Sequence, residues 1–131
     1  MIYLDTCAVL KLAHREAESA ALRAWLLSQP ADEYLVSSAL TEVEAARALA
    51  RTDPPALAAL PGLLAAIGFF EIDQIVRRRA AAYQDPHLRS LDAIRLATAE
   101  ELRGELAAFV TYDKRLLTAA QGLGLPVAAP A

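Results

Sequence analysis

The chain has 131 residues, enough for one domain that buries roughly two-thirds of its unfolded surface and too few for two ordinary ones. Hydrophobic residues make up 56% and aromatic residues only 6%, so the core must come from Leu, Ala, Val and Ile, and the abundant alanine favours helices. A net charge of −3 and a pI of about 5.3 weigh against a nucleic-acid binder, whose surface is usually basic.

The single cysteine, Cys7, excludes an internal disulfide and fits a reducing, cytoplasmic setting. The start MIYLDTC shows no basic region or apolar signal segment, so the expectation is a chain that is not secreted. The most apolar run, from Leu57 to Phe70, is interrupted by Pro61-Gly62 and falls short of the roughly 20 residues of a membrane span.

In chain order, MIYLD reads as a short buried strand, followed by a helical pattern from about Thr6 through Ser28. Gln29-Pro30-Ala31-Asp32 closes that segment, and YLVSS from Tyr34 is a second strand. SALTEVEAARALAR is a helix stopped by Asp53-Pro54-Pro55. Ala56 to Ala66 suggests one or two short apolar helices; FFEID from Phe69 is a third strand candidate, and Gln74 to Tyr83 a helix. Asp85-Pro86-His87 makes a loop before a helix from Ser90 to about Arg103. AAFVTY is the fourth strand, Lys114 to Gln121 a helix ended by Gly122 and Gly124, and LPVAA a last short strand. Strands alternating with helices imply one α/β domain over 1–131, with a mainly parallel sheet of four to five strands covered on both faces.

In such a sheet, ligands bind at the carboxyl edge of the strands. Asp5 ends the first strand, and Asp113 follows the fourth and precedes a helix. Asp92 opens the helix leading into the fourth strand, and Glu44 lies about two turns into the helix after the second. Each has an ordinary structural reading: N-caps for Asp5 and Asp113, a dipole partner for Asp92, a capping box with Thr41 for Glu44. Their joint placement on one edge favours a site. Helical phase places Leu40, Val43 and Ala50 on one apolar stripe, with Glu44 and Arg47 flanking it and Glu42 turned away. The same acid-x-x-Arg spacing recurs as Asp92 and Arg95 within LDAIRLATA. Such pairs are ordinary when exposed and costly beside a core.

Four gathered carboxylates repel one another unless a cation joins them. An all-oxygen set suits Mg²⁺ or Mn²⁺, and the chemistry that follows is phosphodiester hydrolysis by an activated water.

The blocks YLDTCAVLKL, SSALTEVEAARAL, SLDAIRLATA and FVTYDKRLLTAA stand in an order and spacing that covers essentially the whole chain. On these the sequence resembles the PIN-domain ribonucleases, in particular the VapC-type toxins of bacterial toxin–antitoxin pairs. The resemblance implies a PIN-like three-layer α/β sandwich and a metal-dependent endoribonuclease acting on RNA such as tRNA or rRNA. It implies Mg²⁺ or Mn²⁺ held by Asp5, Glu44, Asp92 and Asp113, a homodimer, and a cognate VapB-like antitoxin as partner. Thr6 and Thr111 match small hydroxyl positions beside the acids, and Arg47 and Arg95 stand as supporting or substrate-binding candidates. Position 7 departs from the family in carrying cysteine where serine is common, and position 95 in carrying arginine where many relatives have histidine.

Two other readings of the same residues remain open. A PIN scaffold working through partners without catalysis is the alternative, although all four acids are present. An aspartate-nucleophile phosphatase built on Asp5 needs a second Asp where Cys7 stands. His14 and His87 lack a partner at ligand spacing and read as surface residues. Trp25 reads as core or as part of a groove for a partner.

Overall fold

The computed structural model describes residues 1–131. Strands β1 (Ile2–Leu4), β2 (Leu35–Ser38), β3 (Gly68–Phe70), β4 (Ala108–Val110) and β5 (Val127–Ala128) alternate with seven helices. The helices are α1 (Thr6–Ala13), α2 (Ser19–Leu27), α3 (Leu40–Thr52), α4 (Leu60–Ala65), α5 (Gln74–Ala82), α6 (Ser90–Glu101) and α7 (Lys114–Gly122), with a 3₁₀ turn over Pro54–Ala58. All pairings are parallel, in the order β3-β2-β1-β4-β5, as the alternating pattern requires.

Period-two alternation divides the core between the two faces of the sheet. Ile2, Leu4, Ala108 and Val110 face Val9, Leu22, Leu49 and Leu60 from the helices of one layer. Tyr3, Val36 and Phe109 face Leu96, Leu116 and Ala120 from the other. Tyr3 and Phe109 stack with ring centroids 4.9 Å apart. The chain leaves β1 toward β2 and β4 toward β5, so the direction of winding reverses between the adjacent strands β1 and β4. That switch point opens a crevice beyond their carboxyl ends, where Asp5 and Asp113 follow the strands.

Three expectations need correction. The segment Thr6–Ser28 is two helices, broken over residues 14–18 without Gly or Pro. Local bonds supply the break: Ser19 Oγ accepts from the Glu16 amide at 2.9 Å, and Lys11 Nζ reaches Glu16 and Glu18, each at 2.8 Å. A serine that offers the backbone another partner competes with helix continuation. His14 belongs to this corner rather than to the surface, its ring nitrogens facing Glu16 at 2.7 Å and Asp53 at 3.5 Å. The buried face of α3 is Thr41, Ala45 and Leu49, whereas Val43 is 59% exposed and Ala50 is exposed. The apolar stripe assigned from helical phase therefore faces outward at Val43 and Ala50, because a helix rich in alanine carries no strong apolar signal for its inner face.

The end of α7 follows from Gly124, whose φ of +75° suits glycine. Its amide donates to Gln121 O at 2.9 Å and the Leu125 amide to Ala120 O at 3.1 Å, a Schellman closure that turns the chain into β5. Trp25 packs partly buried against the core. No helix is long and apolar enough to cross a membrane.

Candidate active site

Three of the four acids converge on one guanidinium. Arg95, in α6, is 8% exposed. Its Nε lies 3.0 Å from Asp5 Oδ1, its Nη1 donates to Asp92 Oδ1 at 2.6 Å, and its Nη2 donates to both carboxylate oxygens of Glu44. These acids come from the end of β1, from α3 and from the first turn of α6, elements that meet only in the folded chain.

Asp5 occupies the N-cap position of α1 but makes no capping bond. Its Oδ2 accepts instead from Thr111 Oγ1 at 2.9 Å and Cys7 Sγ at 3.2 Å. Its Oδ1 is buried and has no hydrogen bond, and neither does Arg95 Nε opposite it. Glu44 accepts from Thr6 Oγ1 at 2.7 Å. Because that hydroxyl has a single proton, Thr41, 3.0 Å away, donates to Thr6. Below them Ser37 Oγ lies 2.8 Å from Thr41 Oγ1 and 2.6 Å from the Leu4 carbonyl oxygen. Buried hydroxyls thus run from the sheet to the Glu44 carboxylate.

Asp113 stands apart from the guanidinium. It caps α7, its Oδ1 accepting from the amides of Arg115 at 2.9 Å and Leu116 at 3.1 Å. Its own amide donates to Thr111 Oγ1 at 3.2 Å, so one threonine joins it to Asp5. Arg47 is exposed on α3 and makes no ion pair with the cluster. The sequence gives Thr41 only a capping-box reading, and marks neither Ser37 nor Cys7 as a partner of the acids. The available signal was the run SSALT, a strand end unusually rich in small hydroxyls beside an acid.

A family model described as the PIN domain matches residues 2–122. The chain belongs to the PIN-domain family. It is 50% identical to Ribonuclease VapC35 of Mycobacterium tuberculosis over 132 aligned positions, spanning 99% of this chain and 97% of that protein. Its fold is similar to that of Mycobacterium tuberculosis VapC20, described as a sarcin–ricin loop cleaving toxin, with a TM-score of 0.75 at 14% identity over 99% of this chain and 100% of that one. A toxin–antitoxin complex from Klebsiella pneumoniae aligns equally well, with a TM-score of 0.75 at 20% identity over 100% and 98% of the two chains.

The electrostatics of this PIN domain follow from burial. Desolvation pushes the Asp5 carboxyl above its usual range, against the pull of Arg95 and the hydrogen bonds from Cys7 and Thr111. Burial, with the Asp5 charge, pushes the Cys7 thiol up to about 11, so Cys7 serves as a neutral donor. For Arg95 burial works downward, but Asp5, then Glu44 and Asp92, outweigh it and hold the guanidinium charged. Outside the cluster a cleft of about 1330 Å³ begins at Asp92 and Asp113. Arg89, Lys114, Arg115 and His87 line it over a floor that includes Leu96 and Leu116. Three basic side chains thus stand beside the acids, in a cleft that Asp85, Asp92 and Asp113 also line.

Proposed function

We propose that this PIN domain is a Mg²⁺- or Mn²⁺-dependent endoribonuclease that acts as the toxin of a toxin–antitoxin pair. The observation that carries the reading is the convergence of Asp5, Glu44 and Asp92 on one cation beside a cleft that Arg89, Lys114 and Arg115 help to line. The half-identical relative is named a ribonuclease, which supports the same activity.

The donor set suits the metal. It is all oxygen, a cation already stands among the carboxylates, and Asp5 Oδ1 is buried without a hydrogen bond. No three acids converge as ready ligands, since the guanidinium stands between them. Asp5, Glu44, Asp92 and Asp113 would hold the ion, which when bound supplies an activated water and charge stabilisation at the phosphodiester. Thr111 and Cys7 fix Asp5, Thr6 fixes Glu44, and the α7 cap fixes Asp113. Carboxylates oriented in this way need little reorganisation at the moment of reaction. Arg89, Lys114 and Arg115 would hold RNA phosphates along the cleft, with tRNA or rRNA as the substrate class.

A VapB-like antitoxin, a homodimer and a cytoplasmic setting complete the proposal; the exposed apolar side chains Val43 and Ile75 offer surface for protein contacts. A non-catalytic scaffold is the second reading, favoured only by the engagement of the acids with Arg95.

The test is incubation of the purified chain with total bacterial RNA in Mg²⁺, Mn²⁺ or EDTA, for the wild type and Asp92→Asn. Discrete fragments that require metal and disappear in the variant are expected. Cleavage that persists in Asp92→Asn removes the site assignment, and absence of both cleavage and Mn²⁺ binding leaves the scaffold.

A further inference from the structure

Arg95 takes up the faces of the carboxylates that a metal would need. The other faces are already committed: Asp5 Oδ2 to Thr111 and Cys7, Glu44 Oε1 to Thr6. What remains is Asp5 Oδ1, the second Glu44 oxygen and both oxygens of Asp92, and the guanidinium faces all of these except Asp92 Oδ2. A divalent ion among these oxygens would stand within a few ångströms of a permanent positive charge, at short range and partly shielded from water. Both cannot hold the same oxygens. The fit to arginine is also incomplete: Nε and Asp5 Oδ1 are buried, 3.0 Å apart, and neither completes a hydrogen bond. A buried group left in that condition costs stability, which makes this contact the first to yield.

We propose that Arg95 is the resident counter-ion of the acid cradle, holding Asp5, Glu44 and Asp92 together in the metal-free protein and leaving them when a divalent cation enters. Arg95 is then a positioning residue whose side chain sets the affinity for metal. The inference rests on the metal-site reading above and deepens it. A long side chain permits the exchange, and an open cleft begins at Asp92, one turn earlier on α6. Histidine at this position would carry a shorter side chain and a charge present only in part at neutral pH, so the arginine specifies a tighter hold on the empty site.

Mn²⁺ binding by calorimetry and thermal unfolding in EDTA, on the wild type, Arg95→Gln, Arg95→Lys and Asp92→Asn, test this. Arg95→Gln is expected to bind Mn²⁺ about tenfold tighter or more, to unfold at lower temperature in EDTA, and to gain a larger thermal shift on metal addition. Arg95→Lys, which keeps a point charge without the planar fork, should fall between it and the wild type. Wild-type binding with unchanged or weaker affinity in Arg95→Gln overturns the exchange and leaves the metal site standing. No Mn²⁺ binding by wild type or Arg95→Gln overturns both.

Should Arg95→Gln fail to fold, the wild type decides alone through the arginine Nε–H signals in a ¹⁵N–¹H spectrum. A protected Arg95 Nε–H in EDTA that shifts or exchanges rapidly at saturating Mg²⁺ supports the proposal. An unmoved, protected signal at saturation overturns it.

Discussion

Arg95 Nε and Asp5 Oδ1 lie 3.0 Å apart, both buried, and neither completes a hydrogen bond. The pair is held by charge without the alignment that makes such contacts strong. Around it Asp5 Oδ2, Glu44 and the two terminal guanidinium nitrogens are bonded to Thr111, Cys7, Thr6 and the other two acids. The shortfall is confined to one contact at the centre of the site, where an incoming cation would act.

The hydroxyl relay under Glu44 should be visible in stability. Thr6→Val removes the donor to a carboxylate and leaves Thr41 facing a methyl group, a loss of about 1.5–3 kcal/mol. Thr6→Ser should retain most of it. Urea unfolding in EDTA measures both, and a Thr6→Val protein as stable as the wild type would show that Glu44 draws its orientation from Arg95 alone.

Asp113 caps α7 and is also proposed to hold metal, and two substitutions separate the roles. Asn caps a helix about as well as Asp, whereas Ala costs about 1 kcal/mol. Asp113→Asn is expected to fold with near wild-type stability and lose RNA cleavage, while Asp113→Ala loses both. Wild-type cleavage by Asp113→Asn would reduce this residue to its cap.

The cleft beside Asp92 and Asp113 should carry the affinity for RNA. Arg89→Glu and Lys114→Glu are expected to weaken RNA binding in EDTA across sequences. Each should flatten the slope of log K against log salt by about 0.7 for a single-stranded substrate. Anisotropy titrations at several salt concentrations read this directly; slopes equal to that of the wild type would place the RNA elsewhere.

Beneath the site, the Tyr3 hydroxyl is fully buried, close to the Ser38 backbone and the Ser37 side chain but without a well-formed hydrogen bond to either. Tyr3→Phe keeps the stack on Phe109 and removes an unsatisfied polar group, so stability should rise by about 1 kcal/mol. A fall of that size in denaturant titrations would mean that the hydroxyl is bonded in solution.

The corner between α1 and α2 should respond to acid. Burial raises the Glu16 carboxyl, but hydrogen bonds from Lys11 and His14 outweigh it, and its pKa is lowered from an ordinary value of 4.5. A lowered folded-state pKa means stability that is fully present above pH 4.5 and lost as pH falls through the folded value. The stability difference between wild type and Glu16→Gln should therefore be positive at pH 7, worth under about 1 kcal/mol, and shrink as the pH is taken below 4.5. A difference independent of pH would assign the effect to packing.

Several features were legible in the sequence alone. Alternation of short apolar runs with helical segments determined a parallel α/β sheet, because parallel neighbours need crossovers and buried strands read as continuous apolar stretches. The motif blocks determined the family, and strand ends placed Asp5 and Asp113 at the carboxyl edge. Tertiary structure decided what these residues do to one another. Helical phase puts Glu44 beside a stripe that is exposed at Val43 and Ala50; it reaches the guanidinium that also holds Asp5 because α3 buries Thr41, Ala45 and Leu49 instead. Arg95, spaced like an ordinary partner of Asp92, proved to be the centre of three acids from three elements. Ser37, Thr41 and Cys7 became functional neighbours only through packing. Local propensity acts over a few residues and so fixes elements and their order. Which buried charge meets which is fixed by contacts between positions as far apart as Asp5 and Arg95, where desolvation and geometry, rather than spacing, set the outcome.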